Sequence, residues 1–487
     1  MKSYYRFLFC LTVLVFLIFV GSNAAYAQKA YARQWNVYPG PDPEATRAYI
    51  QAVIDGARDG DTIYFNRGTY DFSAAPAQYS FQNGGALQII DKSLTVKGAP
   101  GSIIVGAPVV IDDTGMKGIK CFWILNSNVN KNVTFDGLTF RTFMIGIGTV
   151  YTNDDPANPV YYPNLRNLVV KNCTFLDIKR NGIACAGVQG NIAITNNRMT
   201  GDTASSRFGI YLDWIFEPGM MEWQPMNTVI TMTNNSIDGF NVSGILSNRP
   251  SNMLITGNAV SNSGSGIIFN GGLKNEAIVA NNALSDLDNG IIVYGSTYPI
   301  NGVMFQEVAR GLRLIFNSIS NIRSCGIFIW GDLAHSNFIA SNKINMINNT
   351  GWGPAIYSEG HDEQYINNTI RGYGYQAVAL VGEDLSADTG LIWGAHHEFF
   401  LNNSISGFAP QDPYNPPNIG WDYELDGYTH DNVVIGIRNE NATHVDYGIN
   451  NIFKFVYPYV PPAITTSLMS LASSKTQGKP QKGAATI

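Results

Sequence analysis

The stretch YSEGHDEQYINNT, residues 357–369, holds a histidine and three carboxylates within five positions: Glu359, His361, Asp362 and Glu363. Side chains of these types can do general acid/base chemistry, in which neighbouring acids force one pKa upward. Clustered carboxylates are also good hard ligands for Ca2+. The same letters can equally form a solvated polar turn. No zinc-type His/Cys spacing and no phosphate-binding loop accompanies them. What the stretch can do therefore depends on what the rest of the chain places beside it.

The chain has 487 residues, of which only 14% are charged, while Gly and Asn are abundant. Few surface-helix formers favour an all-β fold. Lys2 and Arg6 precede an apolar run over 7–20, and an A-x-A site follows at 25–27. This pattern predicts a secretory signal peptide over 1–27, and hence a secreted, periplasmic or cell-envelope protein. The apolar run is short for a membrane span of about 20 residues, and no other segment is suited to cross a membrane. Without Lys2 and Arg6 the 31 basic residues become 29, against 37 acidic ones, a net charge of −8. That balance argues against a nucleic-acid partner. Cys121, Cys173, Cys185 and Cys325 sit in apolar, strand-like contexts and read as buried free thiols, although an oxidising compartment would permit disulfides.

The middle of the chain repeats. An Asn precedes a small or polar residue and then a hydrophobe at Asn172, Asn197, Asn235, Asn258, Asn282, Asn317, Asn342, Asn368 and Asn403. The spacings are 25, 38, 23, 24, 35, 25, 26 and 35, which is one period with three insertions. After each Asn comes a short strand such as GIYLDW, GIIFNG or GIFIWG; before it comes another, such as NIAIT or NMLIT. Short strands with period-2 alternation, separated by Gly, Asn and Ser, predict a β-solenoid. Asn recurring at one place in successive coils can stack into an amide ladder, which satisfies polar groups that burial would otherwise leave unpaired.

These units, clear from about 130 to 405, resemble the right-handed parallel β-helix proteins of the pectin-lyase-like superfamily. The segment ATRAYIQAVIDGARDGDTIYFNRGTYDFS, residues 45–73, resembles the segment with which such solenoids begin. It predicts a capping helix over about 43–57, with Asp42 as N-cap, Pro43 at the first position, and Tyr49, Ile50, Val53, Ile54 and Ala57 on its buried face. The resemblance implies an all-β, single-stranded parallel β-helix of about a dozen coils over 28–457. The Pro- and Ser-rich remainder, 458–487, reads as a disordered tail.

The repeat then sorts the candidate residues. The three insertions, 214–227, 296–310 and 383–396, leave one corner of the solenoid and carry Trp214, Phe216, Trp223, Tyr298, Phe305 and Trp393. Alternation turns two columns of the Gly-Ile strand outward. The first includes Tyr211 and Tyr357; the second includes Asp213, Asn248, Asn270, Tyr294, Trp330 and Glu359. Aromatics mixed with amides and acids suit a polysaccharide, whose sugar faces stack on rings while amides take the hydroxyls. These residues, with Arg249, are the candidate substrate-binding set. Asp213 and Glu359 lie about 24 Å apart at coil spacing, too far for a glycosidase pair, which needs roughly 5–9.5 Å. Aligning the strand-closing residues Gly331, Gly360 and Gly382 instead predicts that Asp332, His361 and Glu383 stack in adjacent coils, with Glu359 beside them. Those four are the candidate catalytic set.

Family signatures do not extend the resemblance to an activity. GHD at 360–362 is similar to the Gly-His-Gly motif of polygalacturonase-like hydrolases, but the acidic motifs before it and the Arg-x-Lys after it are missing. The epimerase motif Tyr-Gly-x-Asp-Pro-His-Asp is missing too. Lyases of this group use Lys or Arg; Arg249, Lys274, Arg323, Lys343 and Arg371 form no tight cluster in the sequence. The expectation is an exported protein that binds a polysaccharide, with cleavage as a lyase or hydrolase left open, the alternative being a non-catalytic adhesin or recognition scaffold. No cofactor is implied beyond the Ca2+ that clustered acids could take.

Overall fold

The computed structural model describes residues 32–454 except 80–83, 113–114, 126–129, 150–164, 203, 213–227, 249–251, 272–276, 296, 301–302, 307, 348–352, 373–375, 386–390, 409–420 and 436–443. The expected signal peptide and tail lie outside the described residues, as do Asp213, Arg249 and Lys274.

The chain coils through three strands per turn. One coil runs Val229–Thr233, Ser236–Asp238 and Ser243–Asn248; the next runs Met253–Thr256, Ala259–Ser261 and Ser265–Asn270. Each strand pairs in parallel with its counterpart one coil on. The first strands of successive coils stack into a fifteen-stranded sheet, the first wall. The second and third strands build the other two walls. Parallel neighbours need a crossover, and right-twisted strands return onto their sheet in the right-handed sense. The fold is a right-handed parallel β-helix: the solenoid that the repeat predicted, of the type that the resemblance implied.

Period-2 alternation points every second side chain inward, so the core is a set of stacked columns. On the first wall one column passes through Ile194, Met232, Ile255, Val279, Leu314, Ile339, Tyr365, Phe400 and Val434, and every member is buried. Tyr365 and Phe400 stack with ring centroids 4.3 Å apart. The helix Pro43–Gly56 packs on the first coils. Asp42 Oδ1 accepts a hydrogen bond from the Ala45 N–H at 2.8 Å, and Ile50 and Ile54 are fully buried. Tyr49, expected on the buried face, is 46% exposed; Thr46 is buried instead, its Oγ1 donating to the Asp42 carbonyl at 2.6 Å.

The turn between the first and second walls explains the paired asparagines. Its first residue has positive φ, as at Asn196, Asn234, Asn281, Asn367 and Asn402, a conformation that Asn tolerates better than most side chains. Its second residue is the ladder rung. Asn197, Asn235, Asn258, Asn282, Asn317, Asn342, Asn368 and Asn403 each pass an Nδ2 hydrogen bond to the next rung's Oδ1 at 2.8–3.1 Å, up to Asn403. The same Oδ1 also accepts the preceding rung's backbone N–H. Asn172 was expected to be a rung and is not. It is the positive-φ residue, at 54°, and Cys173 takes the rung position, its N–H donating to Asn197 Oδ1 at 2.9 Å. Cys121, Cys173, Cys185 and Cys325 are buried free thiols. Among the described residues no helix is long and apolar enough to cross a membrane.

Candidate functional site

The outer face of the third wall carries the predicted columns in register. Tyr211, Leu246, Ile268, Ile292, Phe328 and Tyr357 stand one above another. Asn248, Asn270, Tyr294 and Trp330 form the column beside them. The aliphatic members of the first column point away from the coil and are nevertheless buried. They pack with Phe208, and Tyr211, Tyr294 and Phe328 close over them. This apolar bed holds the polar and aromatic side chains upright. Asn270 Nδ2 donates to Asn248 Oδ1 at 2.8 Å, and Asn248 Nδ2 donates to the Tyr211 hydroxyl at 3.4 Å. Tyr294 meets Trp330 edge-on at 5.3 Å, and Phe328 stacks on Tyr357 at 4.7 Å. Trp330 remains 38% exposed. The result is a strip of amides followed by aromatics, spanning about 24 Å from Tyr211 to Tyr357 at coil spacing.

At the amide end the strip opens into a cleft of about 280 Å3. Trp123, Arg180, Asn181, Arg207 and Tyr211 line it together with Asn248 and Asn270. The Arg207 guanidinium lies over the Phe208 ring at 5.4 Å. Buried Lys120 places its Nζ 4.4 Å from the Trp123 ring centre. Trp123, Arg180 and Arg207 escaped the sequence reading for different reasons. Trp123 precedes the clear repeats. Arg180 and Arg207 stand at turns, one on either side of a hydrogen-bonded step between coils, where the Arg207 N–H donates to the Arg180 carbonyl at 2.8 Å. Their common position, just ahead of each Gly-Ile strand, was the available signal.

The candidate catalytic set does not assemble as predicted. Glu359 follows Trp330 in the outward column but is buried. Its Oε1 accepts from the Tyr357 hydroxyl at 2.6 Å, and its Oε2 accepts from the Gly331 N–H at 3.1 Å. Asp332, His361 and Glu383 do not stack on one another. The coils agree as far as Glu359 and Val381, then pass through turns of different length. Asp332 lies in the turn that leads to His335. Glu383 enters the hairpin Gly382–Leu385 and Leu391–Gly394, where it pairs with Trp393. Register returns only at the histidines, so the neighbours of His361 are His335 and His396.

This second turn, between the third and first walls, repeats the logic of the first. A histidine leads: His335, His361, His396 and His430, bridged backbone to backbone. Their rings stack with centroids 4.9, 4.8 and 4.7 Å apart. A positive-φ residue follows at Ser336, Asp362, His397, Asp431 and Asn450. A buried rung comes third: Asn337, Glu363, Glu398, Asn432 and, nearer the surface, Asn451. Asn337 gives its Nδ2 to Glu363 Oε1 at 2.8 Å and its N–H to Oε2 at 2.9 Å. The Glu398 N–H goes to Asn432 Oδ1 and the Asn432 N–H to Asn451 Oδ1.

Outside the coil, Asp362 hydrogen-bonds His361 Nδ1 at 2.8 Å, and this bond holds its carboxyl below the usual range. Asp431 does the same with His430 at 2.9 Å. Burial depresses the pKa of His335 and His396. Inside the coil, burial pushes Glu363 up to about 8 and Glu398 well up from the carboxylate range. The acids that suggested Ca2+ are thus divided between the two sides of the turn. Among the described residues no three His, Cys, Asp or Glu side chains are disposed to hold a metal ion.

Compared with known families and with curated relatives, the sequence matches none. Solved structures do match over most of the coil. The Yersinia enterocolitica Family 28 exopolygalacturonase is 12% identical over 87% of this chain and 78% of its own, with a TM-score of 0.47. The A-module of the Azotobacter vinelandii mannuronan C-5 epimerase AlgE6 is 14% identical over 85% of this chain and 96% of its own, at 0.43. The Streptococcus pneumoniae surface protein and adhesin PfbA is 11% identical over 85% of this chain and 94% of its own, at 0.34. The three-walled parallel coil, with its helix-capped first turns and inward ladders, decides the fold. The chain has the right-handed parallel β-helix fold. A parallel β-helix is a scaffold on which unrelated activities are mounted, so its function has to be argued from the outer face.

Proposed function

We propose that the third wall binds an extended polysaccharide, and that the protein acts as an extracytoplasmic carbohydrate-recognition module. The observation that carries this reading is the continuous strip from the cleft at Trp123 and Tyr211, through Asn248 and Asn270, to Tyr294 and Trp330. Amides in a hydrogen-bonded row offer donors and acceptors to hydroxyls, and half-exposed rings offer faces to sugar C–H groups. The strip is long enough for a chain of several sugars. The acidic balance supports a glycan over a nucleic acid, and the expected signal peptide over 1–27 supports export.

Recognition without cleavage is favoured over catalysis by the state of the candidate acids. Both oxygens of Glu359 are engaged in bracing the turn, and Glu383 belongs to a hairpin instead of standing over His361. A general acid or base has to reach the scissile bond. The test is a glycan panel scored for binding and for product, repeated with Glu359→Gln and His361→Ala. Binding without product, in the parent and in both variants, supports recognition. Product formation that either change abolishes overturns it in favour of an enzyme.

A further inference from the structure

The corner around His361 carries ionisable groups on both of its sides, and neither side is used by the proposed glycan strip. On the outside, four imidazoles stack at coil spacing. Each Nδ1 is already held: by Ser336 Oγ, by Asp362, by the Gly394 carbonyl and by Asp431. His397 stands beside His396 and His430 and faces Asp362 and Asp431. Arg310 is the cation nearest the His335 end. Two carboxylates therefore serve five imidazoles and an arginine. Full protonation would leave like charges about 4.8 Å apart in successive coils.

On the inside, Glu363 and Glu398 occupy adjacent rungs of a ladder whose other rungs are asparagine. Both are fully buried. The groups facing them are Asn337, Asn432, Ser358, Tyr365 and Asp362, none of them a cation. Glu398 Oε2 has no hydrogen-bond partner among the described residues. An ionised carboxylate would not be stable in that position, whereas a neutral carboxylic acid can stand in for an amide.

We infer that the coils from Ala334 to Asn451 form a proton-operated segment, closed when the inner glutamic acids are protonated and the outer imidazoles neutral, and loosened by acid through the imidazoles and by alkali through the glutamates. The two sides act with opposite signs. The depressed imidazoles, His335 and His396, contribute stability that is present above the ordinary histidine pKa of about 6.5 and is lost as pH falls. Glu363, raised to about 8, contributes stability that is full below the ordinary glutamate pKa of about 4.3 and is lost as pH rises through about 8. The glutamate loss runs from about 4.3 to about 8 and overlaps the imidazole loss below about 6.5, so the two oppose one another in acid and only the glutamate loss acts above about 6.5. The N-terminal coils, whose rungs are asparagine, do not share this dependence.

Hydrogen exchange of the full chain from pH 5 to pH 9, corrected for intrinsic rates, tests this. Protection over 334–451 is expected to fall at least tenfold from pH 6.5 towards pH 9, while protection over 229–283 stays flat. E363Q/E398Q is expected to remove the alkaline fall and to expose a loss below about pH 6.5, and adding H335Q/H396Q to remove that loss as well. Should the Gln pair fail to fold, infrared spectroscopy of the parent provides the second reading. A protonated-carboxyl band at pH 7 that disappears by pH 9 is expected, and E398Q alone should weaken it. Equal pH profiles for the two segments, an alkaline fall that survives in E363Q/E398Q, or no protonated-carboxyl band at pH 7 would each overturn the inference.

Discussion

The imidazole of His361 lies 4.8 Å from that of His396, with the two rings ten degrees from parallel. The pair is one step in a row that runs from His335 to His430. A hairpin, Gly382–Leu385 with Leu391–Gly394, is inserted between the two residues without disturbing the step. The solenoid thus tolerates length changes on its rim because register is restored at each rung. That property separates the faces that can carry function from the ladders that cannot vary.

The amide ladder sets the first prediction. Asn282 donates to Asn317 Oδ1 and to the Ile255 carbonyl, and accepts from the Asn258 N–H and side chain. Asn282→Ala leaves several buried groups unpaired, each costing about 1–3 kcal/mol. Urea unfolding should show a loss of roughly 3 kcal/mol or more. Asn282→Asp should also destabilise, because a carboxylate cannot donate to Asn317. A loss within about 0.5 kcal/mol for Asn282→Ala, the range of ordinary surface changes, would show that the ladder is not a major support.

The cap gives a smaller effect. Asp42→Ala removes the acceptor for the Ala45 N–H and should cost about 1 kcal/mol. Glycan binding should be unchanged, since the helix sits at the end of the coil and away from the strip.

The thiols give a chemical prediction. Burial pushes Cys173 and Cys185 up to about 12 and raises Cys121 and Cys325 as well. At pH 8 in the folded protein these four should resist a thiol-specific reagent, and all four should react once the chain is unfolded. Rapid labelling of any of them in the native state would mean that its coil opens readily.

Much of this structure could be read in the letters. The Asn spacings located the rungs from Asn197 to Asn403, and period-2 alternation located both outward columns, because a solenoid converts sequence period directly into stacking. Asn172 was placed one residue off because positive φ also favours Asn, which makes an Asn pair ambiguous without geometry. The corner at His361 was misaligned for a different reason. The coils keep register as far as Glu359 and Val381, but the turns after them differ in length, so Asp332 and Glu383 never meet His361. The usable signal was the recurring triplet at 335–337, 361–363, 396–398 and 430–432: histidine, a turn residue, then Asn or Glu. The cleft at Trp123, Arg180 and Arg207 was hidden because its walls come from turns and from coils that precede the clear repeat.

The aromatic end of the strip sets a prediction about affinity. Tyr294 and Trp330 support one another edge-on, so their contributions should not add. Each change to Ala should weaken glycan binding by about 1–2 kcal/mol, and the double change by less than the sum. Calorimetry on a bound oligosaccharide checks both numbers.

The central claim is that the third wall is a polysaccharide-binding face. The most direct test is affinity electrophoresis of the full chain through gels containing individual glycans. It compares the parent with Tyr294→Ala/Trp330→Ala, with Asn248→Ala/Asn270→Ala, and with Asp42→Ala as a control that leaves the face intact. The account predicts that at least one glycan retards the parent and the control equally, and that both paired changes on the third wall largely abolish the retardation. Retardation that survives both paired changes, or the lack of any retarding glycan across a broad panel, would contradict it.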